Sequence, residues 1–411
     1  RERARFKLYA RKAEPALADV APILEHMGLK ALREEGFALG GRMRVFVQEY
    51  LVEDRSGEPL ELKRVARVFE DAVAAIWAGQ TESDGFNRLV LELGVSWREA
   101  ALMRALARYR QQSGLDPSQL VQEQALADHP LIAELILELF AVRFDPARNG
   151  DLRKRQGRET ELWGQIATAL QSVRALDADR ALRRLALLVR ACVRTNFYQT
   201  GPDGRAKPYI SFKVASRELE DLPAPKPFRE IFVSAPSVDG VHLRFGPVAR
   251  GGLRWSDRRD DFRTEVLGLV KAQQVKNAVI VPVGSKGGFF PKRLPRHGGP
   301  EAVREEAIGA YKTFLFGLLD LTDNLSAEGA VIHPEQTVVH DGEDPYLVVA
   351  ADKGTASFSD IANGVAQDYG FWLGDAFASG GSAGYDHKEM GITARGAWEA
   401  VKRHFREMGK D

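Results

Sequence analysis

The chain has 411 residues, with 58 Lys and Arg against 57 Asp and Glu, a formal net charge of +1 with histidine neutral. That length leaves room for two or three domains with separate cores, and the charge balance gives no global pull toward nucleic acid or an anionic membrane. Hydrophobic residues at 44% and charged residues at 28% exclude a disordered chain, and the single cysteine, Cys192, excludes an internal disulfide and a cysteine-based zinc cluster.

Residues 1–60 read as a small α/β unit: alternation over 5–9, a helix over 16–27 with Leu17, Val20, Ile23 and Leu24 on one face, and a β-rich stretch over 42–52. A strand, helix, strand unit is expected. From 61 to 206 the chain reads as a helical domain. Val65, Val68, Phe69, Ala72, Val73 and Ile76 form one apolar stripe, Ser96 and Glu99 have capping-box spacing, and Asp116-Pro117 and His129-Pro130 mark breaks. These stripes are core rather than site.

From 207 to 411 a second α/β domain is expected. Strands are signalled over 209–214, 230–234 and 241–245, a helix over 263–276, and a buried strand over 278–283. A helix over 303–319, a buried strand over 346–350 and a helix over 393–408 follow. Such alternation favours a mostly parallel, mixed sheet. The apolar runs fall short of the roughly 18 residues that a membrane-spanning helix needs. One cysteine fits a reducing compartment such as the cytosol. With no initiator Met and no signal-peptide pattern at Arg1, the chain reads as a piece internal to a longer polypeptide.

Charge is unevenly placed. Residues 244–293 hold eleven Lys or Arg against four acids, whereas 341–375 hold seven acids against one Lys. Three cations are expected at element ends: Arg250 in Arg250-Gly251-Gly252 after a strand, Lys276 closing a helix with Gln273 one turn earlier, and Lys286 in a glycine loop after the buried strand. Ligands of open α/β sheets bind at the carboxyl ends of strands, so these cations are expected to converge on a small anion. Glycines around Lys286 wall its amine off from water, which disfavours the charged form and makes it reactive near neutral pH. No Gly-x-Gly-x-x-Gly or Gly-x-x-x-x-Gly-Lys-Ser/Thr occurs. His242, His333, His340 and His387 lack metal-site spacing, so no metal is expected.

Val241-His-Leu-Arg-Phe-Gly-Pro-Val-Ala-Arg-Gly-Gly-Leu-Arg-Trp-Ser256, followed by Gln273-Gln-Val-Lys-Asn-Ala-Val-Ile-Val-Pro-Val-Gly-Ser-Lys-Gly-Gly288, resembles the substrate domain of glutamate dehydrogenases, specifically the large NAD-dependent bacterial type. The resemblance covers about 207–411. The two preceding segments resemble, more weakly, the ACT-like regulatory and helical parts of the large enzymes. It implies oxidative deamination of glutamate to 2-oxoglutarate with NAD as cofactor, in a cytoplasmic homo-oligomer serving amino-acid catabolism, with no nucleic acid or membrane partner.

Carried over by motif, the resemblance places Arg250, with Gly251 beside it, on the side-chain carboxylate of the substrate. It places Lys276 on the α-carboxylate with Gln273 nearby, Lys286 and Asp352 as catalytic groups, and Thr393 at the nicotinamide amide. Arginine stands at 250 where the family has lysine, and Ser285 where a glycine is usual. The nucleotide domain is expected beyond Asp411, leaving this chain alone inactive. Asp352 also reads as a helix N-cap. Two other readings stand beside the resemblance: a non-catalytic anion-binding or assembly module built on the cationic segment, and a dehydrogenase for another amino acid.

Overall fold

The computed structural model describes residues 3–11, 13–40, 44–57, 59–116, 118–148, 151–272, 283–352, 357–383 and 390–410. They form two compact units: Arg1–Lys226 with Phe232–Ser237 and Glu335–Asp341, and Pro227–Ile231 with Val238–Pro334 and Gly342–Asp411.

The first unit opens with β1 (Ala4–Arg11), α1 (Leu17–His26), β2 (Leu29–Leu39) and β3 (Val45–Asp54), an antiparallel sheet in the order β1-β3-β2. The expectation of strand, helix, strand is corrected by β2. This edge strand turns most of its side chains to water, among them Lys30, Arg33 and Glu35, and so lacks the apolar alternation that betrays a half-buried strand. Val20, Ile23 and Leu24 of α1 meet Tyr50 and Val52 of β3, and the core is closed by Val65 and Phe69 of α2 (Leu62–Trp77). Phe6 and Phe69 pack edge-on with ring centres 5.2 Å apart.

Six helices follow: α3 (Arg88–Leu93), α4 (Trp97–Gln112), α5 (Gln119–Asp128), α6 (Pro130–Phe144), α7 (Leu152–Leu170) and α8 (Leu176–Ala191). Ser96 and Glu99 close both halves of the capping box that starts α4, and Pro130 stands in the first turn of α6. Antiparallel β4 (Cys192–Thr195) and β5 (Ile210–Val214) complete the unit. Tyr109 of α4 packs edge-on against Phe212 and Phe232 at 5.9 and 5.7 Å. Arg194 and Lys213, both fully buried, converge on Asp341 at 2.5 and 2.6 Å, which ties the Glu335–Asp341 segment to β4 and β5.

The second unit contains β6 (Arg229–Ser234) through its first residues, then β7 (Val238–Arg244), β8 (Ala249–Trp255), α9 (Phe262–Lys271), β9 (Val283–Pro291) and α10 (Gly299–Leu319). The short β10 (Asn324–Leu325) and β11 (Val331–Ile332) pair with each other. After them come β12 (Val348–Ala351), α11 (Ser359–Asp368), β13 (Ala378–Ser379) and α12 (Ile392–Glu407).

Sheet order is β13-β12-β8-β9-β7-β6. Neighbours from β13 to β9 are parallel, and β7 runs antiparallel to β9, so the sheet is mixed around a parallel core. Helix α9 lies on one face, where its Val266 meets Gly288. Helix α10 lies on the other, where its Phe314 packs on Phe289 at 5.9 Å and over Gly240. Of the buried strand expected over 278–283, residues 278–282 lie outside the described residues and Val283 begins β9.

Candidate active site

Lys286 lies inside β9 and Arg250 inside β8, so two of the three cations expected at element ends stand within paired strands instead. The glycines that suggest a loop serve close approach between strands. A side chain at Gly287 would overlap Leu253 of β8, and one at Gly288 would stand 2.5 Å from Val266 of α9. At Gly251 a Cβ would overlap the main-chain oxygen of Ser285 on the neighbouring strand. Glycine is therefore demanded where β8 and β9 press together, and the same residues look like turn signals when read singly.

Strand alternation decides which side chains share a face. Gly288 meets α9 and pairs with Arg254, whose guanidinium reaches Glu265 of α9 at 2.7 Å. Two residues back along each strand, Lys286, Gly252 and Arg250 therefore lie on the α9 face, and the register of β8 with β12 puts Val348 and Ala350 there too. Asp352 follows the last residue of β12 and forms an ion pair with the Lys286 ammonium. The Lys286 side chain is 7% exposed and that of Asp352 25%, so the pair is held out of bulk water at one side and open at the other. The N-cap reading of Asp352 concerns residues 353–356, which lie outside the described residues; the next described helix, α11, begins at Ser359. Arg250 is partly buried, and among the described residues no carboxylate pairs with it.

The cationic segment is not a free basic surface. Arg244, Arg254, Arg258, Arg263, Lys286 and Lys292 each have a carboxylate partner. Two of these partners, Asp344 and Asp352, come from the acidic segment, and the other four come from Asp239, Glu230 and the cationic stretch itself. The Arg263–Glu230 pair is fully buried and doubly hydrogen-bonded at 2.8 and 2.6 Å, which fixes α9 to β6. Sequence reading missed the group Arg254, Ser256 and Glu265 on the α9 face. The Ser256 hydroxyl donates to Glu265 at 2.6 Å, and only the register of β8 brings these residues beside the lysine.

On the α10 face, His242 of β7 is 1% exposed, and neither ring nitrogen has a hydrogen-bond partner. Burial, reinforced by the Arg244 charge, pushes it down to about 3, so it is neutral across the physiological range.

Gln273 and Lys276 lie outside the described residues, as does His387. Thr393 falls in the first turn of α12. Among the described residues no group of three or more His, Cys, Asp or Glu could hold a metal ion, and no helix is long and apolar enough to cross a membrane.

Comparison with known proteins places this geometry. Residues 165–411 match the model of the bacterial NAD-glutamate dehydrogenase catalytic domain, residues 81–146 that of glutamate dehydrogenase helical motif 3, and residues 1–65 that of the glutamate dehydrogenase ACT3 domain. The NAD-specific glutamate dehydrogenase of Pseudomonas aeruginosa is 53% identical over 408 residues, covering 98% of this chain and 25% of the relative. That of Halomonas elongata is 49% identical over 405 residues with the same coverage, and that of Neurospora crassa 30% identical over 236 residues, 54% of this chain and 21% of the relative. The chain thus spans about a quarter of the length of the curated relatives it matches.

Proposed function

The chain belongs to the bacterial NAD-glutamate dehydrogenase catalytic-domain family, and from that premise we propose that it supplies the substrate-binding and proton-handling groups for oxidative deamination of L-glutamate to 2-oxoglutarate and ammonia. The observation that carries this reading is the Lys286–Asp352 ion pair on the face it shares with Arg250. In the proposed roles, Arg250 receives the side-chain carboxylate of glutamate, and Lys276 with Gln273 receives the α-carboxylate. A planar guanidinium binds a carboxylate bidentately, which suits Arg250 to the substrate end that does not react.

The reaction takes hydride from the α-carbon and leaves an imine, water adds to the imine carbon, and the carbinolamine collapses to the keto acid and ammonia. Lys286 takes a proton from the attacking water and stabilises the oxygen that develops charge, while Asp352 passes protons to and from the substrate nitrogen. Their ion pair supports this division, because a proton moves between Nζ and the carboxylate without a long rearrangement.

NAD enters as hydride acceptor from the family. The chain contains no Gly-x-Gly-x-x-Gly turn, the pattern that receives a pyrophosphate in dinucleotide-binding folds. The proposed cofactor contact is Thr393, at the nicotinamide edge. Assembly as a homo-oligomer in the cytoplasm belongs to the same proposal.

The competing reading of a docking module on a basic surface loses support from the six paired cations, and Arg250 favours glutamate over amino acids with apolar side chains. The test is NAD reduction by a polypeptide of the relatives' full length carrying this segment. Glutamate should be oxidised far faster than leucine or phenylalanine, and equal rates with all three would overturn the assignment.

A further inference from the structure

Beside the Lys286–Asp352 pair, the second unit holds three side chains that the proposed reaction leaves unused: Arg254 of β8, Ser256 just past that strand, and Glu265 of α9. On the α9 face of β8, Arg250, Gly252 and Arg254 succeed one another at roughly 6 to 7 Å, two residues per repeat. Lys286 stands in the row of Gly252, because the next residue, Gly287, pairs with Leu253. Ala351 pairs with Leu253 from the other side, so Asp352, one residue on, comes level with Arg254. Arg250 and Arg254 therefore flank the row of the reactive lysine.

Glu265 is gripped at both carboxylate oxygens. The buried Ser256 hydroxyl donates to Oε2 at 2.6 Å and is itself fixed by accepting the Arg258 main-chain N–H at 3.1 Å. Oε1 lies 2.7 Å from Nε of Arg254. The guanidinium is thus held at its root. Among the described residues neither terminal nitrogen of Arg254 has a hydrogen-bond partner, and the side chain is 21% exposed. A tie that serves only to fasten α9 to the sheet is bidentate and buried, and Arg263 with Glu230 already supplies one. Arg254 instead leaves its outer edge open on the face that carries Lys286.

That outer edge matches the paired oxygens of a carboxylate or a phosphate, and a long side chain presents it in one direction only when another group fixes its orientation. We propose that Glu265, braced by Ser256, is a positioning residue of this site: it aims the terminal nitrogens of Arg254 at an oxyanion of the bound reactants beside Lys286. The inference rests on the reading of the site as one for glutamate deamination. Two reactants carry such a group, the amino acid in its α-carboxylate and the dinucleotide in its phosphates, and their separate KM values tell which one Arg254 meets.

The test is steady-state kinetics of the full-length enzyme with Arg254→Gln, Glu265→Gln and the double variant. An oxyanion is charged in the ground and transition states alike, so its loss falls on KM more than on kcat. Arg254→Gln should raise the KM of glutamate or of NAD at least tenfold, with kcat changed less than threefold. A rise for glutamate assigns the carboxylate and a rise for NAD the phosphate. Arg254→Lys keeps the charge without the fork and should raise the same constant. Glu265→Gln should raise it at least threefold and add nothing in the Arg254→Gln background, since it acts through that side chain. Both KM values within twofold of the parent in Arg254→Gln, or additive effects in the double variant, would overturn the proposal. So would a lowered melting temperature with both KM values unchanged, the mark of a purely structural tie. A parent enzyme that oxidises glutamate beside an indistinguishable Arg254→Gln removes this inference alone, whereas a parent that does not oxidise glutamate removes the function on which it rests.

Discussion

Lys286 and Asp352 form their ion pair across an intervening strand, over the position of Gly252. Lys286 is on β9 and Asp352 directly follows β12, two strand spacings apart or roughly 9 to 10 Å of sheet. Gly252 of the intervening strand is in register with Ala350 and lies on the same α9 face.

Packing at the neighbouring position gives a sharp stability prediction. Gly251→Ala puts a methyl group into the Ser285 backbone, and because the obstacle is main chain it cannot swing away. We expect a loss of at least about 3 kcal/mol, at the upper end of overpacking costs. Gly268→Ala, on α9 with open space around it, should be neutral or stabilising by about 0.5 to 1 kcal/mol. Denaturant melts of the two variants separate close approach from a general intolerance of alanine, and similar midpoints would contradict the packing account.

His242 makes a prediction about acid. Its folded pKa is about 3 against 6.5 for a free histidine. Between those values the unfolded chain binds a proton that the folded chain does not, so stability is lost as pH falls from 6.5 toward 3, by up to about 1.4 kcal/mol per pH unit. His242→Leu removes two unpartnered nitrogens and should flatten that dependence while leaving stability at pH 8 equal or higher. A variant whose unfolding free energy falls with acid as steeply as the parent's would show that His242 is not the titrating group.

In the proposed function, selectivity falls to Arg250. The guanidinium has no carboxylate partner among the described residues, and the distal carboxylate of glutamate would be its counterion. Removing one partner of a partly buried charge pair typically costs about 2 to 5 kcal/mol. In the full-length enzyme, Arg250→Leu should therefore lose its preference for glutamate over norvaline, measured as the ratio of kcat/KM values. An unchanged ratio would assign the distal carboxylate to another residue.

What the sequence reveals of this molecule follows the range of the interactions. The capping box of Ser96 and Glu99 and the stripe of α2 are local, and both stand where their spacing puts them. Edge strand β2 hides because its charged, water-facing residues carry no periodic apolar signal. Placing Lys286 in a loop fails for a related reason: Gly287 and Gly288 look like punctuation until Leu253 and Val266, far along the chain, are seen to occupy the missing side chains' space. Arg244 and Asp344 are buried partners 100 positions apart, so a count of charges by segment reads as a basic patch what the fold pairs internally.

The central claim is that Lys286 acts in the chemistry while other cations hold the substrate, and one comparison tests it most directly. Glutamate-dependent NADH formation by the full-length enzyme should fall at least a thousandfold in kcat on Lys286→Ala, about 4 kcal/mol of transition-state stabilisation. The dissociation constant for 2-oxoglutarate, measured by calorimetry on the same protein, should change less than fivefold. Retention of near-normal turnover by Lys286→Ala, or a loss of activity fully explained by lost 2-oxoglutarate binding, would contradict the account.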